Sequence, residues 1–291
     1  MSEIIQYLIS GVSMGGVYAL VAIGFHIMWS SARAVNFAHG ESVMLAAVIT
    51  IVLRDHGVPT PLAALAALFV CLAFGVVLER LAIRPFAQQA QSIGWMLTTI
   101  AFGIMLESYA TISFGAFARP LPSPLVDTPI HILGAGVFLQ EFVIPIVALL
   151  TLALLMLFQR RTQLGRAMRA VAFNSTAASL VGIDVKQIMI FSFALAAGIG
   201  GVAGLLAAPV IQASASMGFI LGLKGFAVAI IGGITSAYGV VIAGFLYGVV
   251  EKLADGYIST AAREAIGFGL VILVLMIWPK GLFEKKDVVK V

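Results

Sequence analysis

The chain of 291 residues is 61% hydrophobic and 10% charged, with a net charge of +4 and a mean hydropathy of +1.10. A soluble domain averages about 45–50% apolar and roughly 25% charged residues, so a water-soluble enzyme or a nucleic-acid-binding module is excluded for want of polar surface. Most of the exterior must face lipid, where only helices or closed barrels satisfy the backbone, and long unbroken apolar runs select helices.

A span needs about 20 apolar residues. In chain order the candidates are Ile4 to Trp29, Ala34 to Leu53, Pro61 to Leu78, Ile93 to Ala118, Phe142 to Phe158, Gln187 to Ala213, Phe219 to Leu253 and Ala265 to Pro279. The run from Phe219 to Leu253 is too long for one perpendicular span and contains Gly232-Gly233 and Ser236. It reads as two shorter helices, either half-helices or a re-entrant pair. The expectation is therefore an all-α polytopic membrane protein of about eight to nine transmembrane helices, some broken or short. It forms a single permease-like domain over 1–291. The first run lacks a basic leader and is too long for a signal peptide, so it is expected to be retained. Cys71 is alone, which rules out an intramolecular disulfide. Gly11 with Gly15, Gly200 with Gly204 and Gly244 with Gly248 have helix-packing spacing and predict a tight bundle.

Basic residues in short loops stay on the cytoplasmic side. The loop 159–186 carries Arg160, Arg161, Arg166, Arg169 and Lys186 against the single acid Asp184, which makes it cytoplasmic. Counting back places the N-terminus outside. Lys280, Lys285, Lys286 and Lys290 place the C-terminus inside, and that parity requires the division of 219–253.

Within the loop, Ala167 to Val181 has apolar residues at helical spacing and Gly182 at a C-terminal stop position, so one short amphipathic helix is expected. Physics leaves two uses for it: docking in a groove on a cytoplasmic partner, or lying on anionic lipid headgroups. In the second span, Asn36, His39 and Glu41 stand beside Gly40 and cannot share one face of a regular helix. They suggest a helix break lining a pathway or an interface, with solvation at the headgroups as the competing reading. For Glu41 solvation takes precedence; for Asn36 and His39 the two stand level. Glu107 is the acid nearest the middle of a span, and is read as neutral or hydrogen-bonded to Ser108, Tyr109 or a neighbouring helix. His26, His56 and His131 are scattered, so no metal site is expected, and no spacing places a nucleophile.

Three stretches carry a resemblance. Gly165-Arg166-Ala167, Arg169-Ala170, Ala177-Ala178 and Gly182-Ile183 form the first. Tyr18-Ala19-Leu20 with Asn36-Phe37-Ala38-His39-Gly40-Glu41 form the second. Lys224-Gly225-Phe226, Ile231-Gly232-Gly233-Ile234 and Trp278-Pro279-Lys280-Gly281-Leu282 form the third. In this order they resemble the LivH-type permease subunits of ABC importers for branched-chain and other hydrophobic amino acids. The resemblance implies a bacterial inner-membrane, multi-pass subunit that is not itself an enzyme. Its partners would be a second, LivM-like permease, two cytoplasmic ATPases and an extracytoplasmic substrate-binding protein, with lipid around it. It makes 159–186 the ATPase-coupling loop, with Gly165, Arg166, Arg169, Ala170, Ala177 and Gly182 as its marked positions. No lysine follows a glycine, as a phosphate-binding P-loop requires, so ATP and magnesium are expected on the partner ATPases and no cofactor on this chain.

Urea, short amides and aromatic acids are alternative cargoes, because similar permeases handle them. A proton-coupled secondary transporter using Glu107, Glu41 and His39 is an alternative class. An intramembrane enzyme built on His39 and Glu41 is another, although no nucleophile or metal is placed beside them.

Overall fold

The computed structural model describes residues 2–86, 93–132 and 134–283. Lys285, Lys286 and Lys290, used above for orientation, lie outside them. Helix α1 is Ser2–Ala32, followed by a 3-10 turn at Phe37–Gly40 and α2 at Glu41–Asp55. Next come α3 (Thr60–Leu78), prolonged by π and 3-10 turns to Phe86, and α4 (Gly94–Phe114). A two-stranded hairpin, β1 (Ile130–Ile132) and β2 (Ala135–Val137), pairs Ile130 with Val137 and His131 with Gly136. Then follow α5 (Leu139–Arg161), α6 (Gln163–Phe173), α7 (Ser175–Leu180) and α8 (Val185–Ile211). The chain closes with α9 (Met217–Gly232), α10 (Ala237–Tyr257) and α11 (Arg263–Ile277).

Among the described residues seven helices are long and apolar enough to cross a membrane, which makes the chain a polytopic helical membrane protein. Helices α9 and α11, of 16 and 15 residues, are shorter; at 1.5 Å per residue each reaches about 24 Å or less, short of a hydrocarbon core of about 30 Å. The long run 219–253 is divided where its glycines suggest. Gly233 adopts φ +82, a conformation that Cβ-bearing residues avoid, and the Ser236 side chain caps α10 by accepting from the Gly239 N–H.

Helix α1 is the axis of the bundle. Of its most apolar stretch 78% is buried, against 22% for α5 and 17% for α4, so α4 and α5 are the most exposed of the long helices. The axis packs against α10, α8, α5 and α9. Two of the small-residue pairs turn out to be partners: Gly11 and Gly15 of α1 face Gly248 and Gly244 of α10, so closely that an added Cβ at Gly15 would stand 2.7 Å from the Phe245 Cα. Close backbone approach replaces the hydrophobic drive that lipid cannot supply between helices. At the N-terminal end, Glu141 accepts from Ser10 Oγ at 2.5 Å and from the Phe138 N–H at 3.0 Å, which fastens the start of α5 to the axis. The Arg119 backbone bridges Ala213 there, and its guanidinium pairs with Asp55.

The C-terminal Trp278–Leu282 segment folds back over the α9–α10 break. The Leu282 N–H donates to the Ile231 carbonyl at 2.8 Å, and His26 Nδ1 holds the Ile234 carbonyl at 2.7 Å from the other side. An irregular backbone at membrane depth must find such partners within the protein.

Candidate functional site

Beyond α1 the chain reverses. Arg33 takes φ +52, Asn36 accepts from the Ala38 N–H at 3.0 Å to start the 3-10 turn, and the Phe37 N–H donates to Thr99 of α4 at 3.3 Å. A Cβ on Gly40 would stand 2.6 Å from the Gly222 Cα, so this glycine lets α9 lie directly on the turn. The helix break expected from the polar cluster is present, and it separates the three residues. Asn36 is spent on capping. His39 turns toward α1 and α8, with Nε2 at 3.2 Å from the Val21 carbonyl and its ring 4.8 Å edge-on to Phe25. Glu41 turns the other way, toward α4 and α9.

Solvation of Glu41 at the headgroups is overturned: the residue is 2% exposed. It lines a cavity of about 540 Å³ between the turn, α1, α4 and α9, whose walls include Phe25, Phe37, Phe219 and Phe226. Phe226 stands 5.4 Å from Phe25 and 5.6 Å from Phe37, ring centre to ring centre. Glu107, half-buried, reaches the same cavity from α4. Of the two states expected for it, neutral or hydrogen-bonded, the hydrogen bond to Ser108, Tyr109 or another helix is not found among the described residues; its backbone carbonyl accepts from Thr111 Oγ1 at 2.8 Å.

A second ionic site went unread in the sequence. Lys224 is 3% exposed, and its Nζ lies 2.5 Å from Glu251 and 2.8 Å from Glu264. Arg263 Nε stands 3.3 Å from Glu251 and Nη2 3.2 Å from Glu264, while Asp255 takes Lys252 at 3.5 Å and Arg263 at 4.0 Å. Three cations thus meet three carboxylates across α9, α10 and α11. The available signal was Lys224 itself, a lone charge inside an apolar run, where an unpaired ammonium is costly. Its partners could not be named because they come from two later helices.

In the basic loop the single expected helix is two. Asn174 interrupts it with an extended backbone and caps α7 by accepting from the Ala177 N–H at 2.9 Å. Thr162 caps α6 in the same way, and Gly182 at φ +86 ends the loop helices. The marked positions divide by environment. Arg166, Arg169, Ala177 and Gly182 are exposed, Ala170 packs against the core, and Gly165 is buried where a Cβ would stand 2.6 Å from the Gln159 Cα. Phe173, Leu180 and Val181 are 92%, 83% and 77% exposed, an apolar display on a hydrophilic loop. Arg33 Nη2 donates to the Ala172 carbonyl at 3.1 Å, tying α6 to the end of the axial helix.

Among the described residues, seven helices long and apolar enough to cross a membrane, an acid-bearing cavity and an exposed helical loop together define a multi-pass helical membrane protein. The family model described as branched-chain amino acid transport system / permease component matches residues 7–278, and the chain belongs to that family. It is 32% identical to the high-affinity branched-chain amino acid transport system permease protein LivH of Salmonella typhimurium, over 99% of this chain and 97% of that protein. It is 31% identical to BraD of Pseudomonas aeruginosa, a permease protein of the same description, over 99% and 98% of the two chains. The probable LivH of Methanocaldococcus jannaschii shares 26% over 90% and 87%.

Proposed function

We propose that the chain is the membrane-spanning permease subunit of an ATP-driven importer for branched-chain amino acids, forming half of the pathway with a second permease in a bacterial inner membrane. The family match from residue 7 to 278, with near-complete coverage of the LivH and BraD relatives, carries this reading. Two ATPase chains and an extracytoplasmic binding protein complete the assembly, and ATP is hydrolysed outside this chain.

Charge placement supports a topology with the N-terminus outside and the C-terminus inside. Arg33, Arg80, Arg84, Arg160, Arg161, Arg166, Arg169 and Lys186 gather at the loop end of the bundle, and among them only Arg84 has a carboxylate partner among the described residues, Glu79 at 3.0 Å. At the opposite end Arg119, Lys252 and Arg263 are neutralised by acids, and only Arg54 is without a carboxylate partner among the described residues. An excess of free basic charge at one end is what retention in the cytoplasm produces.

The exposed Phe173, Leu180 and Val181 support α6–α7 as the coupling element, because apolar residues on a soluble loop become stable when a partner's groove covers them. Nucleotide-driven closure of the ATPases would move this rigidly capped pair, and with it the end of α1 through Arg33.

The test is mild-detergent purification of the tagged chain from its host, with identification of what accompanies it, followed by reconstitution with the binding protein. Recovery of ATPases and a second permease, and ATP-dependent leucine uptake, is the expected result. Reversal of both Arg166 and Arg169 to Glu should remove the ATPases. A chain that purifies alone and transports alone would overturn the reading.

A further inference from the structure

The Glu41 carboxyl is almost wholly enclosed, yet its Oε2 has no hydrogen-bond partner among the described residues. Oε2 is packed against α9, where a Cβ on Gly218 would stand 2.6 Å from it, while the room lies beside Oε1, from which a Cβ on Gly103 of α4 would keep 3.8 Å and which also takes no hydrogen bond among the described residues. The second charged side chain at the cavity is another acid, Glu107, and no lysine or arginine lines it. The remaining surface is aliphatic or aromatic, and Phe219 at the rim is 58% exposed.

A buried carboxylate without a donor is costly, more so at membrane depth, and two acids in one apolar recess raise the cost. The charge deficit is relieved by a cation that enters the recess. An ammonium fits it on three counts. It offers N–H donors to Oε1 on the cavity side of the carboxyl, it is attracted to the faces of the surrounding aromatic rings, and it brings an apolar body that the same rings can cover.

We propose that Glu41 is the ammonium-binding group of this permease, with Glu107 as a second acid at the rim and Phe25, Phe37, Phe219 and Phe226 receiving an apolar side chain. The ligand class is a primary amine bearing a branched aliphatic or aromatic group. The substrate carboxylate, which finds no cation here, points away from the two acids toward the open side, where the second permease would face. This rests on the permease reading above and goes beyond it in naming the site and the group recognised.

The test uses the chain purified in detergent with the subunits that accompany it, and two probes of one carbon skeleton, 3-methylbutylamine and 4-methylpentanoate. The amine should raise the thermal midpoint of the wild-type complex and the acid should not. Glu41→Gln should keep its unliganded midpoint, lose the response to the amine, and lower leucine uptake about 30-fold, as truncating one partner of a buried charge pair does. Glu41→Asp, which keeps the charge but withdraws it, should retain part of the response. Equal responses to amine and acid in wild type, or an undiminished amine response in Glu41→Gln, overturns the assignment, and the first comparison needs no variant to fold. Wild-type leucine uptake with no response to the amine sinks this inference alone; absence of ATP-dependent uptake sinks the reading beneath it.

Discussion

Helix α9 separates two opposite treatments of buried charge. On one face Lys224 sits among Glu251 and Glu264 at 2.5 and 2.8 Å, with Arg263 closing the group. On the other, Gly218, Phe219, Gly222 and Phe226 look toward Glu41, whose Oε2 has no partner. The spacing 218, 219, 222, 226 is one helical stripe, and Lys224 lies off it. In the first site every charge meets an opposite charge within this chain, even though Glu251 Oε2, Asp255 Oδ1 and Arg263 Nε take no hydrogen bond among the described residues, and the cluster binds α9 to α10 and α11. The second has no cation beside its acids among the described residues. A paired cluster fixes the wall; the unpaired acid can then present its charge to a ligand from a wall that does not yield.

That contrast can be broken by substitution. Lys224→Ala leaves Glu251, which is 4% exposed, with Arg263 at 3.3 Å as its remaining cation, and should cost about 3 kcal/mol, the low end for breaking a buried pair, in the denaturation of the detergent-solubilised protein. Replacing Lys224 with Met and Glu251 with Leu together should restore most of that loss, because apolar residues of similar volume remove the buried charge. A double variant as unstable as the single one would show that the cluster does more than pair charges. Gly248→Ala acts where no charge is involved, at the α1–α10 crossing. Overpacking there should cost about 1–3 kcal/mol, read in the same denaturation, with the response to 3-methylbutylamine intact in the folded fraction.

Glu41→Gln should leave stability within about 1 kcal/mol of wild type, since no native hydrogen bond to Oε2 is lost. If its midpoint falls as far as that of Lys224→Ala, the distinction between a structural and a ligand-facing acid fails. The smallest effect on the bundle belongs to Arg166→Glu with Arg169→Glu. These exposed positions should change stability by about 0.5 kcal/mol or less, while the ATPases disappear from the purified complex.

Much of this was legible in residue order. Composition alone selects lipid as solvent, and the glycines at 232–233 with Ser236 divide the longest run where the helices in fact part. The break at Asn36–Glu41 was legible too, because three polar side chains beside a glycine cannot share one helical face. Its consequence was not. Whether Glu41 meets headgroup water or an aromatic recess depends on α4 and α9, which begin 53 and 176 residues later. Asn174 could be seen, but its choice between helix interior and cap could not, since either satisfies local propensity.

The sequence by itself determined the solvent, the helical class, the approximate spans, the basic loop and the family resemblance, because each follows from composition or local order along one segment. Only the tertiary structure decided which acids are paired. It joined Lys224 to carboxylates on two later helices, matched Gly11 and Gly15 with Gly248 and Gly244, and enclosed Glu41 while leaving its oxygen free. The physical reason is that the cost of a charge, or the benefit of a missing side chain, is set by what stands opposite it in space, and helices distant in sequence supply that.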